Sequence, residues 1–211
     1  MIRRNEVSDD GPDNDAVREL ITGMCDRYLG WFPGEHDRLY QLRLQLANPS
    51  VDLRRRSTIP QGHLCGSGIV LLPDAKVLML HHKSLGIWVV PGGHYDVEDG
   101  RPAVTAIRET EEETGISGIR LHPWHLQHRI PLDIDTHSIP ANDAKEEGAH
   151  QHFDFRYVLE LDHPEYTLAC LNLDGNEVLG YRAVPVDDVD PASSIAPALR
   201  KLGMLTGSPV T

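Results

Sequence analysis

The chain has 211 residues, 40% of them hydrophobic and 25% charged, and a formal net charge of −12. That length allows one domain with an extension or two small domains, and the composition is that of an ordinary soluble globular protein. The acidic balance excludes a surface for nucleic-acid polymers, which requires clustered Lys and Arg, and the one short basic run, Arg54-Arg55-Arg56, reads as a solvated loop.

Residues 1–13 are polar and read as a frayed end. From Asn14 to Leu29 the apolar residues Val17, Leu20, Ile21, Met24, Cys25 and Tyr28 form one helical stripe, which Pro33-Gly34 breaks. A second helix is expected from Glu35 to Leu46. Together these predict an N-terminal helical extension over 14–60, packed as a hairpin on a main domain over 61–205. Its surface would serve as core cover, as a substrate lid, or as the contact of a homodimer.

In the main domain, 66–72 and 76–82 read as a β-hairpin around Pro73-Asp74. A short strand over 87–90 leads into the loop Pro91-Gly92-Gly93. A helix is expected from Pro102 to Thr114, with proline suited to its first turn and Gly115 as its stop. Further strands are expected near 119–128, 130–138, 152–161 and 178–186, and a last helix over 194–202. Alternating strands and helices give an α/β class.

The helix 102–114 carries the chemistry. At about 100° per residue, Ala103, Ala106, Ile107, Thr110 and Thr114 share one side, and Glu109, Glu112 and Glu113 cluster on the far side. Carboxylates crowded on one face repel one another, and near a helix C-terminus the macrodipole disfavours them further. A hard divalent cation would relieve both penalties. Taken alone, the three glutamates fit a solvated acidic face better than a metal site, and Arg108 is spaced to pair with Glu112.

The surroundings reverse that preference. The run Arg108-Glu109-Thr110-Glu111-Glu112-Glu113-Thr114-Gly115-Ile116 resembles the core of the Nudix box, G-x5-E-x7-R-E-U-x-E-E-x-G-U, with Thr110 in place of the first bulky apolar residue. The box itself spans residues 93–116, with Gly93 and His94 in the glycine loop, and the resemblance covers residues 60–190, including strands in matching positions. Two positions depart from the pattern. Gly100 stands where the family has glutamate, so that Asp96, Glu98 or Asp99 would supply the acid. His94 stands where the box has its first glycine.

The resemblance implies a Nudix-type α/β/α sandwich with a mixed sheet. It implies a Mg²⁺- or Mn²⁺-dependent hydrolase of a nucleoside diphosphate linked to another group, or of a related small pyrophosphate. Glu109, Glu112 and Glu113 would hold the metal, with Glu112 and Glu109 also catalytic and Arg108 orienting a glutamate. Glu147, in a loop beside Glu146, is a candidate base. The altered loop motivates an alternative, a Nudix-fold ligand-binding or regulatory module with weak catalysis.

Six of the twelve histidines lie between His122 and His152, where two segments alternate strictly. Asp133, Asp135 and His137 share one face of the first; His150, His152, Asp154 and Arg156 share one face of the second. Paired as antiparallel strands, they would form a wall of the active site or a solvated outer face with ion pairs. A transition metal on His150 and His152 with Asp133 or Asp135 is a weaker option. Lys83, at a strand end near the glycine loop, is a candidate phosphate contact.

Cys25, Cys65 and Cys170 are odd in number and far apart, which gives no metal or disulfide framework and fits a reducing compartment. There is no apolar run long enough to span a bilayer and no signal-peptide pattern, so the cytoplasm is the expected location and no membrane partner is expected.

Overall fold

A computed structural model describes residues 13–55, 62–141, 148–162 and 171–203. Helix α1 spans Asn14–Trp31. The Asp13 carboxylate caps it by accepting the Ala16 N–H at 2.7 Å. Its buried stripe is Val17, Ile21, Met24, Cys25, Tyr28 and Leu29. Helix α2 is shorter than expected, Tyr40–Leu46. Pro33–Glu35 forms a 3-10 turn instead, and Glu35 is committed to Tyr28, Arg38 and Lys201. Arg18 joins the two helices. Its guanidinium donates to the carbonyls of Gln45 (3.1 Å) and Leu46 (2.7 Å), which the helix end would otherwise leave unpaired.

Eight strands form one mixed sheet. They are β1 (His63–Leu72), β2 (Lys76–His82), β3 (Ile87–Val89), β4 (Gly92–His94), β5 (Ile119–Leu121), β6 (Asp133–Ile139), β7 (His150–Leu161) and β8 (Val178–Pro185). Strand β1 runs parallel to β7 from His63↔His152 to Val70↔Leu159. On its other side it pairs antiparallel first with β4 and then, near the turn, with β2. Asp74 and Ala75 take left-handed backbone angles, φ 61° and 53°, to close that turn. Strand β7 is flanked by β6 and β5, and β2 by β3 and β8.

Helix α3, Pro102–Thr114, has the expected bounds. Gly115, at φ 67°, ends it with an N–H to the Glu111 carbonyl at 2.8 Å. The helix lies on the face of β1 that presents Gly66 and Gly68. A Cβ at Gly66 would sit 2.5 Å from the Pro102 carbonyl oxygen and 2.9 Å from the Ala106 nitrogen, so only glycine permits this approach. Val17, Ile21, Leu46 and Leu64 meet around one small void, which seats the N-terminal helices by the same strand. Helix α5 (Ala196–Lys201) reaches the opposite face through Lys201. The buried apolar residues of helices and sheet form one cluster, in which Phe153, Phe155, Ile69, Leu78 and Leu80 are fully enclosed.

The strand expected over 119–128 is corrected. It stops at Leu121, and Pro123–His128 is a short helix, α4. The His122 ring accepts the Trp124 N–H at 3.2 Å as its cap, and Pro123 occupies the first turn. No helix among the described residues is long and apolar enough to cross a membrane.

Candidate active site

Arg108 organises the carboxylates. Its guanidinium donates to both Asp99 oxygens at 2.9 Å, to Glu109 Oε1 and Glu112 Oε2 at 2.9 Å, and to the His94 carbonyl at 3.0 Å. Asp99 also accepts from Thr105 Oγ1 at 2.7 Å and from the Asp96 N–H at 3.1 Å. Burial works to raise the Asp99 carboxyl, but Arg108 and Thr105 outweigh it and hold it below the ordinary range. The acid absent from Gly100 is thus present one residue earlier, as a rigid anchor for the arginine.

Glu113 differs from the sequence expectation of a far, outward face. It is 5% exposed and lies against β4, where its Oε2 accepts the Gly92 N–H at 3.0 Å. Burial pushes its carboxyl up to about 8 against that hydrogen bond, and the charges of Glu109, Glu177 and Asp174 add to the rise. Glu109 is raised for the same first reason, burial, with Arg108 opposing and Glu112 and Glu177 adding. Gly93 touches this group directly: a Cβ there would fall 2.5 Å from Glu109 Cδ. Glu112 is the exposed member, at 58% of its side chain.

Asp174 and Glu177 were not among the residues singled out from sequence. They precede β8, far along the chain, and only the sheet brings them to α3. Lys83 lies beside the same turn. Its N–H donates to the Glu177 carbonyl at 2.8 Å and its Nζ to the Gly175 carbonyl at 3.1 Å. Glu146 and Glu147 lie outside the described residues.

The alternating segments do pair antiparallel, with Asp133↔Arg156, Asp135↔Asp154 and His137↔His152 in register. Strand alternation puts this row on the sheet face opposite Gly66, Gly93 and α3. Much of it is buried rather than solvated: Asp133 is 0% and Arg156 3% exposed. Arg156 bonds Asp154 and Asp135 at 2.9 Å and Asp133 at 3.3 Å. Arg38 (2.8 Å) and Lys201 (2.6 Å) also reach Asp133, and Lys201 bonds the Tyr28 hydroxyl at 2.6 Å. Burial works to raise Asp133, yet Arg38, Lys201 and Arg156 together hold it below the ordinary carboxylate range.

The remaining part of this face is a group of side chains from three strands. His63 and Cys65 of β1, His94 of β4 and His152 of β7 place one donor atom each within 4.8 Å of one another. His150 stacks beside them, 5.0 Å from His63 and 5.2 Å from His152 between ring centroids. The metal set suggested by the sequence, His150 and His152 with Asp133 or Asp135, is not the set whose donors converge. Asp133 and Asp135 are committed to the Arg156 network, and Cys65, which belongs to no sequence motif, is brought in by strand register.

A family model described as NUDIX domain matches residues 63–203. The chain is 33% identical over 135 residues to a "Probable DHNTP pyrophosphohydrolase" of Lactococcus lactis subsp. cremoris, a match covering 64% of this chain and 75% of that one. Among solved structures it is similar to an Ap4A hydrolase binary complex from C. elegans, with TM-score 0.48 and 18% identity over 68% of this chain and 97% of that chain. It is also similar to the E. coli dihydroneopterin triphosphate pyrophosphohydrolase, with TM-score 0.48 and 16% identity over 67% and 94%.

Proposed function

This chain belongs to the NUDIX family and is a Nudix-type pyrophosphohydrolase, and from that premise we propose that it hydrolyses a phosphoric anhydride in a small nucleotide-like substrate with a divalent cation held by Glu109, Glu112 and Glu113. The observation carrying this reading is the close placement of buried Glu113 and half-buried Glu109 behind Gly92 and Gly93: burial raises both carboxyls, and the charge of Glu109 adds to the rise of Glu113. Such a pair gains most from a cation. Its donors are all carboxylate oxygens, which fit Mg²⁺ or Mn²⁺ better than a soft metal.

When bound, that cation would neutralise anhydride oxygens and acidify a water. The protein's own part is positioning. Arg108 fixes Glu109 and Glu112 from one nitrogen, and the Gly92 N–H fixes Glu113. Glu112, open to solvent, would accept a proton from an entering water. Gly93 keeps the backbone close to Glu109, and Lys83, held to the Gly175 and Glu177 carbonyls, is the side chain proposed for phosphate contact. His94, Asp135, His137, His150 and His152 lie across the sheet from these carboxylates, and Asp133 is enclosed by cations, so no role in the metal cluster is given to them. The anchor that Asp99 gives Arg108 favours turnover over the alternative of a purely ligand-binding module.

The test is a panel of nucleotide sugars, dinucleotides, nucleoside triphosphates, dihydroneopterin triphosphate and prenyl diphosphates, with Mg²⁺ or Mn²⁺. Phosphate or pyrophosphate release from one of them, lost in Glu112→Gln with an unchanged metal-free melting curve, is the expected result. Tight binding by calorimetry with no product from any substrate would overturn the proposal in favour of the binding module.

A further inference from the structure

We propose that His63, Cys65, His94 and His152 form a closed, four-ligand zinc site, separate from the glutamate cluster and on the other face of the sheet. The donor set is three imidazoles and one thiolate, a combination that selects Zn²⁺ or a similar soft-to-borderline transition ion over Mg²⁺. The site is built by register. His63 and Cys65 are two apart on β1 and so share a face. His94 is the antiparallel partner of Cys65, and His152 is the parallel partner of His63. Three strands therefore deliver four donors to one point, without any turn or loop motif.

The geometry is close to that of a loaded site. Tetrahedral zinc with bonds of about 2.0 Å to nitrogen and 2.3 Å to sulfur sets its donors roughly 3.3–3.5 Å apart. The donors here all lie within 4.8 Å of one another, so side-chain adjustments of about an ångström close the shell. The rings converge as ligands do: His63 lies 4.7 Å from His94 and 4.6 Å from His152, and His94 lies 5.2 Å from His152, between centroids. His63 and Cys65 are buried, 2% and 4% exposed. His94 and His152 are half-buried, and imidazoles gathered around a buried one serve packing poorly, because apolar side chains would fill the space without the desolvation cost. A metal turns that cost into binding energy.

The position of the site suggests what it does. His94 belongs to β4, whose Gly92 and Gly93 face Glu113 and Glu109, and its carbonyl accepts from Arg108. A zinc ion holding His94 to β1 and β7 would clamp from behind the backbone on which the carboxylate cluster rests. This is a structural site, with four protein ligands and no open position required.

The experiment uses the full chain and does not read activity. Protein stripped of metal is titrated with Zn²⁺ against a chromophoric chelator, loaded with Co²⁺ for visible spectroscopy, and examined as the zinc form by X-ray absorption. The expected results are one tightly held zinc per chain, a tetrahedral Co²⁺ spectrum with a sulfur-to-metal charge-transfer band, and a first shell of three nitrogens and one sulfur. Cys65→Ser should lose the charge-transfer band and weaken zinc binding at least tenfold, whereas Cys25→Ser and Glu112→Gln should retain both. A six-coordinate, oxygen-only shell in the wild-type protein would overturn the proposal even if the Cys65 variant failed to fold. So would zinc affinity and a charge-transfer band undiminished in folded Cys65→Ser.

Discussion

Asp99 grips Arg108 with both carboxylate oxygens, at 2.9 Å each, and Arg108 passes that constraint on to Glu109 and Glu112. An arginine that bonds two glutamates could settle in many ways; one pinned from behind settles in one. Asp99→Asn keeps the shape and removes the charge. Hydrogen bonds to charged groups contribute about 1.5–3 kcal/mol, so metal-dependent turnover should fall roughly ten- to hundredfold. The loss should lie in kcat more than in KM, as steady-state kinetics on the substrate identified by the panel would show. Undiminished kcat would mean that Arg108 needs no anchor.

Glu113 makes the metal-free protein sensitive to alkali. Its carboxyl is raised from an ordinary 4.5 to about 8 in the folded state. Between those values the unfolded chain has released the proton and the folded chain retains it. Stability from this group is therefore complete below about pH 4.5 and is lost as pH rises toward 8. The slope is at most ~1.4 kcal/mol per pH unit. Melting scans in a chelator should show this decline, and Glu113→Gln should flatten it while abolishing metal-dependent turnover. A wild-type midpoint that climbs steadily over this range would contradict the assignment.

Gly93→Ala tests the close approach of strand and helix. The new methyl would need space now held by the Glu109 carboxyl group. Glu109 must swing away from Arg108, and divalent-metal affinity should weaken roughly ten- to hundredfold, the usual cost of disturbing the support of a metal ligand. Isothermal titration with Mn²⁺ reads this directly. Unchanged affinity would remove Glu109 from the ligand set.

Asp133→Ala should cost stability rather than chemistry. It leaves Arg156 and Lys201, 3% and 7% exposed, without their shared counterion. Removing one member of a buried ion pair typically costs about 3–5 kcal/mol. Urea unfolding should show a loss of that order, while the specific activity of the folded fraction stays within a factor of a few. A variant as stable as wild type would mean that water replaces the carboxylate.

Local chemistry explains which features were legible in the sequence. Helix α3 carries its own start, stop and face in Pro102, Gly115 and the spacing of Ala103, Ala106 and Thr110, so its bounds follow from the chain alone. The pairing of β6 with β7 was readable because each alternates strictly. The 119–128 segment misled because His122 and Pro123 start a helix one residue after the strand ends at Leu121. Burial of Glu113 was not legible, since it depends on Gly92 coming from another strand. Asp174 and Glu177 join the carboxylates only through the order of β2 and β8. The four-donor group was least visible: His63, Cys65, His94 and His152 span ninety residues, and only the register of β1 with both β4 and β7 unites them.

Lys201, near the end of the described residues, sits in the same polar knot as Tyr28 and Glu35 from the first forty and Asp133 from the middle. During vectorial synthesis, Asp133 emerges from the ribosome almost seventy residues before that ammonium group does. A nascent chain halted earlier would hold an aspartate short of one counterion at the junction of sheet and helices. Final consolidation of the knot thus waits for that ammonium group, and truncation just upstream of Lys201 should leave a chain that collapses without locking.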